Sequence, residues 1–182
     1  MPAALTHALA GLVAGAGTWT FLEYVIHAWL GHLPRGKTHV SAEHLAHHRD
    51  ILYFVPLATK LAGAVPVLSI ATGLAYAAMD LTFALSFLLA LTAGWWSYEW
   101  LHQEIHVRAP KGRYALWATR HHLAHHFTHP AKNHGVTTPL WDFVFGTYVR
   151  VDKVRVPPAQ RARIPWLANG AVPDFIELGE SR

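Results

Sequence analysis

The basic residues of this chain are confined to two windows, and that confinement decides most of what it can fold into. All fifteen Lys and Arg lie in residues 35–60 or after residue 107, and none lies in residues 1–34 or 61–107. The windows without them hold three stretches apolar enough to cross a bilayer core, a task that takes roughly 20 helical residues. They run from about Ala3 to Ile26, Leu61 to Met79 and Leu81 to Trp100. Lys60 precedes the second, Asp80 sits in the turn between the second and third, and Trp95, Trp96, Tyr98 and Trp100 form an aromatic belt at the end of the third. Charged residues make up 14% of the chain, where a soluble domain carries about 25%. With three spans, both basic windows fall on one side of the membrane, which the positive-inside rule makes cytoplasmic. The amino terminus and the Asp80 turn are then expected outside.

The formal charge of +4 fits a membrane surface, since the basic residues adjoin tryptophan-rich apolar spans, and no nucleic-acid partner is expected. No cysteine is present, which rules out disulfides and thiolate metal sites. The first window offers no basic residues for a secretory signal peptide. The length fits one domain. Residues 1–150 are read as a membrane domain and 151–182 as a cytoplasmic tail in extended structure, with Pro157, Pro158, Pro165 and Pro173. Residues 36–50 and 113–129 are read as short helices.

Histidine is the second constraint. Ten of the fifteen fall in four groups: His27 and His32; His44, His47 and His48; His102 and His106; His122, His125 and His126. Helical residues three and four apart share a face, so the last three groups each converge. His27 and His32, five apart, are too far round a straight α-helix. Gly31 and Pro34 predict that the helix ends there and lets His32 swing back. Imidazole is the commonest metal-ligating side chain. Ten neutral imidazoles supply about five ligands to each of two ions and leave room for water, oxygen or substrate, whereas a structural zinc site closes with four. Which five serve each ion stays open. The fold expected is an all-α integral membrane protein of about three transmembrane helices, with a cytoplasmic helical cap carrying a histidine-rich dimetal centre.

Other readings fit less well. Haem ligation wants facing histidines inside the spans, and transport wants ligands near the midplane, where His7 near one end is the only span histidine. A non-catalytic metal-binding membrane protein, a zinc store or sensor, is the main alternative. His129 is a weaker candidate ligand, and His7, His39, His121 and His134 are read as surface or hydrogen-bonding residues. Glu23, Glu104 and Asp142 are candidates to orient the ligand imidazoles.

The segments FLEYVIHAWLGH (21–32), HLAHH (44–48), HQEIH (102–106), HHLAHH (121–126) and KNHGVTTPLWDFVFGTY (132–148) resemble the fatty acid hydroxylase/sterol desaturase superfamily of membrane di-iron oxygenases. The last is most similar to fatty acid 2-hydroxylases. The resemblance implies a hydroxylase domain over 1–150, with His27, His32, His44, His47, His48, His102, His106, His122, His125 and His126 as metal ligands. It implies two iron ions, with zinc as a replacement in purified protein, and O2-dependent hydroxylation of a lipid or fatty acyl chain at the cytoplasmic face. An acyl groove lined by residues such as Trp19, Trp95, Trp96 and Phe143 is expected. Sterol, carotenoid or aminolipid hydroxylation or desaturation is the alternative within the superfamily. Relatives commonly have two spans before the first histidine group, where one is read here. They often carry a fused cytochrome b5 domain, for which this chain has no room, so a separate electron-transfer protein of cytochrome b5 or ferredoxin type is expected. Arg108, Lys111, Arg113 and Arg120 are candidates to hold such a partner or an acidic head group, beside their plainer role as positive-inside anchors.

Overall fold

A computed structural model describes residues 2–179. It divides into two compact units, Met1–Glu23 with Val55–Tyr98, and Tyr24–Phe54 with Glu99–Arg182. Among the described residues, three helices are long and apolar enough to cross a membrane: Ala3–His32, Leu57–Ala78 and Leu81–Val107. The described residues are all-α apart from one short sheet, and the chain is an integral membrane protein.

The first unit contains α1 (Ala3–Tyr24, less its last residue), α3 (Leu57–Ala78) and the earlier part of α4 (Leu81–Val107). Their apolar residues go all round each helix, the pattern of a membrane span. A narrow seam is buried, with Trp19, Ala75, Ala84, Phe87, Leu91 and Trp95 forming the core. Val13, Val65, Ile70, Leu74, Leu85 and Leu89 point outward and exposed. In water this surface would be costly to leave bare; in hydrocarbon it matches its solvent. At the α3–α4 turn, Asp80 accepts from the Phe83 backbone N–H at 2.8 Å, capping α4, and its other oxygen meets His7 Nδ1.

The second unit holds a π-helical segment (Val25–His32), α2 (His39–Arg49), the end of α4, α5 (Gly112–Phe127) and the short α6 (Leu140–Val144). The tail, expected as extended structure, is folded. It forms β1 (Val154–Val156), α7 (Pro158–Arg161), α8 (Pro165–Ala168) and β2 (Ile176–Leu178), the two strands pairing in parallel. Pro157, Pro158 and Pro165 stand at the starts of α7 and α8, where a missing N–H costs nothing, and Pro173 begins the turn into β2. Val154, Val156, Ile164 and Leu167 are fully buried, and the Trp166 indole N–H donates to the Ile105 carbonyl on α4 at 3.2 Å. Strands of three residues, of which only β1 alternates buried and exposed, give too brief a signal for sequence reading.

The third apolar helix passes Trp100 without a break and carries His102 and His106 on the same rod. The first continues past Ile26 and does not end at Gly31. It widens into the π-helix, with the Leu33 N–H bonded to the Ala28 carbonyl five residues back at 3.2 Å.

Candidate metal centre

That wider winding answers the spacing problem of His27 and His32. Closing each turn five residues on, rather than four, brings residues five apart to the same side. The swing-back at a helix end, expected from Gly31 and Pro34, is replaced by a continuous helix. Gly31 has another use: a Cβ there would stand 3.0 Å from the His44 ring, so only glycine lets α2 approach this closely. Ser41, fully buried, donates its hydroxyl to the Gly31 carbonyl at 2.6 Å, and Thr38 caps α2 by accepting from the Ser41 N–H at 3.3 Å. These contacts hold α2 against the π-segment and place His44 beside His32.

The ten histidines form two groups of five. One is His27, His32, His44, His48 and His125; the other is His47, His102, His106, His122 and His126. Each H-x2-H-H helix divides its histidines by the same rule. Its first and last, four apart and on one face, go to one group, and the middle one crosses to the other. α2 thus gives His44 and His48 to the first group and His47 to the second. α5 gives His122 and His126 to the second and His125 to the first. The π-segment completes one group and the end of α4 the other. The groups adjoin, with the His48 and His126 rings stacked at 4.2 Å between centroids.

Within the first group the Nε2 atoms converge. His125 Nε2 lies 2.9, 3.0 and 3.1 Å from those of His27, His32 and His48, and His44 Nε2 lies 2.8 and 3.1 Å from those of His32 and His48. An imidazole nitrogen has one in-plane lone pair or one proton, so His125 Nε2 cannot hydrogen-bond to three rings. These are lone pairs aimed at a common centre. Ligands at right angles and about 2.1 Å from an ion stand about 3.0 Å apart, and tetrahedral ligands about 3.4 Å. The observed spacing fits right-angle coordination by five or six ligands. In the second group, His122 Nε2 is 3.0 Å from both His106 and His126 Nε2.

The other ring nitrogen fixes several tautomers. His27 Nδ1–H donates to the His134 carbonyl at 2.5 Å, His125 Nδ1–H to Lys132 at 2.7 Å and His47 Nδ1–H to Tyr53 at 2.8 Å. Each leaves Nε2 as the lone-pair atom, the arrangement that orients metal-bound imidazoles. Burial, reinforced by neighbouring imidazoles, pushes His44 down to about 2 and His48 to about 3, and holds His122, His125 and His126 well below the usual histidine range. All five are neutral near pH 7, as ligation requires.

Asp142 is fully buried. Burial alone would raise its pKa, but hydrogen bonds from His121, Thr147 and the Gly135 and His134 backbone outweigh it and keep the carboxylate ionised. It accepts from the His134 and Gly135 N–H groups, both at 2.8 Å, and from the Thr147 hydroxyl at 2.7 Å. Its action on an imidazole of the first group is therefore one step removed: it fixes the loop whose His134 carbonyl receives His27. Gly135 is required there, because a Cβ would meet the Thr138 carbonyl oxygen at 2.0 Å. Glu104 takes no part and pairs with Arg108 at 2.9 Å. Glu23 is buried.

His121 and His134 are not surface residues. His121 donates to Asp142 at 3.2 Å, and the His134 ring packs edge-on to Tyr24 and within 5.4 Å of His27. His39 and His129 are exposed and outside both groups. Of the proposed groove residues, Trp19 and Trp95 are buried and Trp96 and Phe143 exposed. Sequence reasoning missed Ser41 and the Lys132, His134 and Tyr53 carbonyls. Ser41 had a signal in its place three residues after the cap Thr38; backbone carbonyls have none.

A family model described as fatty acid hydroxylase matches residues 12–147. The chain belongs to the fatty acid hydroxylase family. It is 32% identical over 154 residues to a dihydroceramide fatty acyl 2-hydroxylase of Arabidopsis thaliana, covering 79% of this chain and 63% of that one. It is 31% identical over 149 residues to a fatty acid 2-hydroxylase of Mus musculus, covering 75% of this family member and 39% of the mouse protein. The chain thus spans less than two thirds of either relative. Among solved structures, full-length Scs7p, of which only the hydroxylase domain is visible, aligns with a TM-score of 0.66 at 25% identity, over 80% of this chain and 57% of that one.

Proposed function

We propose that this chain is an O2-dependent, di-iron hydroxylase of lipid acyl chains, acting at the 2-position, with its metal centre on the cytoplasmic side of the membrane. The observation that carries the reading is the pair of adjoining five-imidazole groups, the first with Nε2 atoms spaced for right-angle coordination. His27, His32, His44, His48 and His125 would hold one ion, and His47, His102, His106, His122 and His126 the other. Right-angle spacing and all-nitrogen ligation suit iron, whereas zinc prefers a closed tetrahedron and has no redox change to offer. Bound there, iron supplies the redox chemistry that O2-dependent hydroxylation of an unactivated C–H bond requires.

The chain's own residues supply placement. The Lys132, His134 and Tyr53 carbonyls hold three imidazoles in one tautomer and orientation, and burial keeps the ligands neutral and excludes water from most of them. The relatives named as fatty acyl 2-hydroxylases support an acyl substrate and the 2-position. The cytoplasmic assignment rests on the confinement of Lys and Arg to 35–60 and beyond 107. Electrons would come from a separate protein of cytochrome b5 or ferredoxin type, for which exposed Arg108, Lys111 and Arg113 offer a basic approach.

The test is lipid analysis of a host expressing the chain beside His47→Ala and His125→Ala variants, with iron measured in each purified protein. 2-Hydroxyacyl lipids should appear with the parent chain and vanish with both variants. Their absence from a host making intact, iron-loaded protein and an active donor would refute 2-hydroxylation. Equal product from the variants would refute the ligand assignment.

A further inference from the structure

Helix α6 turns two very different faces outward and inward. Inward is Asp142, fully buried. Outward are Leu140, Phe143 and Val144, followed by Phe145, all exposed, with Phe143 and Val144 each 59% accessible. Single exposed apolar residues are ordinary on a protein surface, but contiguous patches mark a contact. This one does not end at α6. Phe145 stacks on Tyr24 at 5.0 Å and meets Trp29 edge-on at 5.4 Å between centroids. Trp29 and Leu30 are themselves exposed, as is Leu33 just beyond them. Tyr24 to Leu30 belong to the first apolar span, Ala3–His32, so the α6 patch continues a surface that already faces lipid.

Its borders agree with that setting. The Lys132 ammonium donates to the Gly146 carbonyl, next to Phe145, at 2.9 Å, and exposed Arg35 and Lys37 follow the π-segment. Aromatic rings edged by cations are the composition of a bilayer interface, where rings sit at head-group level and cations meet phosphate. A core helix would have no reason to leave Phe143 and Val144 bare, and an aqueous one would not group them with Leu140 and Phe145.

We propose that Leu140–Phe145 is an interfacial lipid-contacting element, seated in the bilayer surface beside the end of the first span, with the membrane itself as its partner. The proposal does not depend on the reaction catalysed. It does give the bilayer a mechanical link to the metal centre, because Asp142 on the same helix fixes the loop that receives His27.

The absence of cysteine makes the test direct. Leu140→Cys and Val144→Cys, both at exposed positions, are spin-labelled in the full chain and reconstituted in phosphatidylcholine–phosphatidylglycerol vesicles. Ile70→Cys, exposed on α3, is the lipid reference, and Arg155→Cys, exposed on β1, is the aqueous one. Accessibility to O2 and to a water-soluble nickel chelate is then read by power saturation. Both α6 labels should match Ile70, with an O2-to-nickel ratio several-fold above that of Arg155. Nickel accessibility equal to Arg155 at either position would overturn the proposal. Low accessibility to both reagents would also overturn it, showing that protein, a second copy included, covers the patch. Phe143→Lys, read by release from the same vesicles of a label at Val144 into the nickel-accessible class, provides a second variant should one cysteine site fail to fold.

Discussion

The two histidine groups have the same number of imidazoles and nearly the same parts, yet they are built to different depths. In the first, His32, His44 and His48 are half-buried; in the second, only His102 is. The first depends on a π-helix for its His27–His32 pair, the second on an ordinary α-helix for His102–His106. The first has two of its five imidazoles held by loop carbonyls, both from residues 132–134, in the loop that Asp142 anchors through the His134 N–H. The second lies among packed helices, with Nδ1 of His106, His122 and His126 buried and without an acceptor among the described residues. One group is set by a loop and a π-helical winding, the other mainly by helices, with a single loop carbonyl, that of Tyr53, on His47. The first should therefore be the more easily perturbed and the more accessible to reagents.

The largest effect expected comes from removing one ligand on each side. His125→Ala should lower metal content from two ions per chain to one while sparing the second group, and His122→Ala should do the reverse. Activity should fall to background in both, and metal analysis with metal-edge spectroscopy would distinguish them. Loss of both ions from either variant would show that the groups load as a unit.

A second difference lies in acid response. Because burial depresses the folded pKa of His44 to about 2 and of His48 to about 3, the unfolded chain binds more protons at any pH between those values and about 6.5. Stability of the metal-free protein should thus be full above pH 7 and decline as pH falls below about 6.5, by up to about 1.4 kcal/mol per pH unit for each such group. Denaturant melts at pH 7.5 and 5.5 would show it; equal stability at both would contradict the depressed values. Replacing His44 by Gln should flatten the slope.

Asp142→Asn tests the loop's control of the first group. It leaves the shape but weakens the acceptor for two backbone N–H groups, and should weaken metal binding at the first group by about 10–100-fold. Titrating apoprotein with Fe(II) would show two phases in the variant where the parent binds both ions tightly. Weakening of both phases would refute a local role. The smallest effect belongs to Gly31→Ala. The new methyl group presses on His44, a cost of about 1–3 kcal/mol, partly offset by the better helix propensity of alanine, up to about 1 kcal/mol. A few-fold loss confined to the first group is expected from the same titration.

Much of this centre was legible in the sequence. Four histidine groups, their helices and the apolar spans follow from periodicity, because spacing along a helix fixes which side chains share a face. The lengths of the apolar stretches likewise gave the number of spans, and the confinement of Lys and Arg gave their expected orientation. Family membership rested on short motifs that remain adjacent in sequence, such as GVTTPLWDFVFGTY.

The division of those ten histidines into two groups was decided by tertiary structure. A spacing of three or four says that His44, His47 and His48 lie on one side of α2, and nothing about which neighbour each will meet. Only the packing of α2 against α5, the π-segment and the end of α4 sends His47 one way and His44 and His48 the other. The π-helix was equally unreadable, since winding by one extra residue per turn has no residue signature and is held here by contacts from α2. The carbonyls of Tyr53, Lys132 and His134 belong to a backbone every residue shares, so the sequence holds the imidazoles and the fold alone supplies the acceptors that aim them.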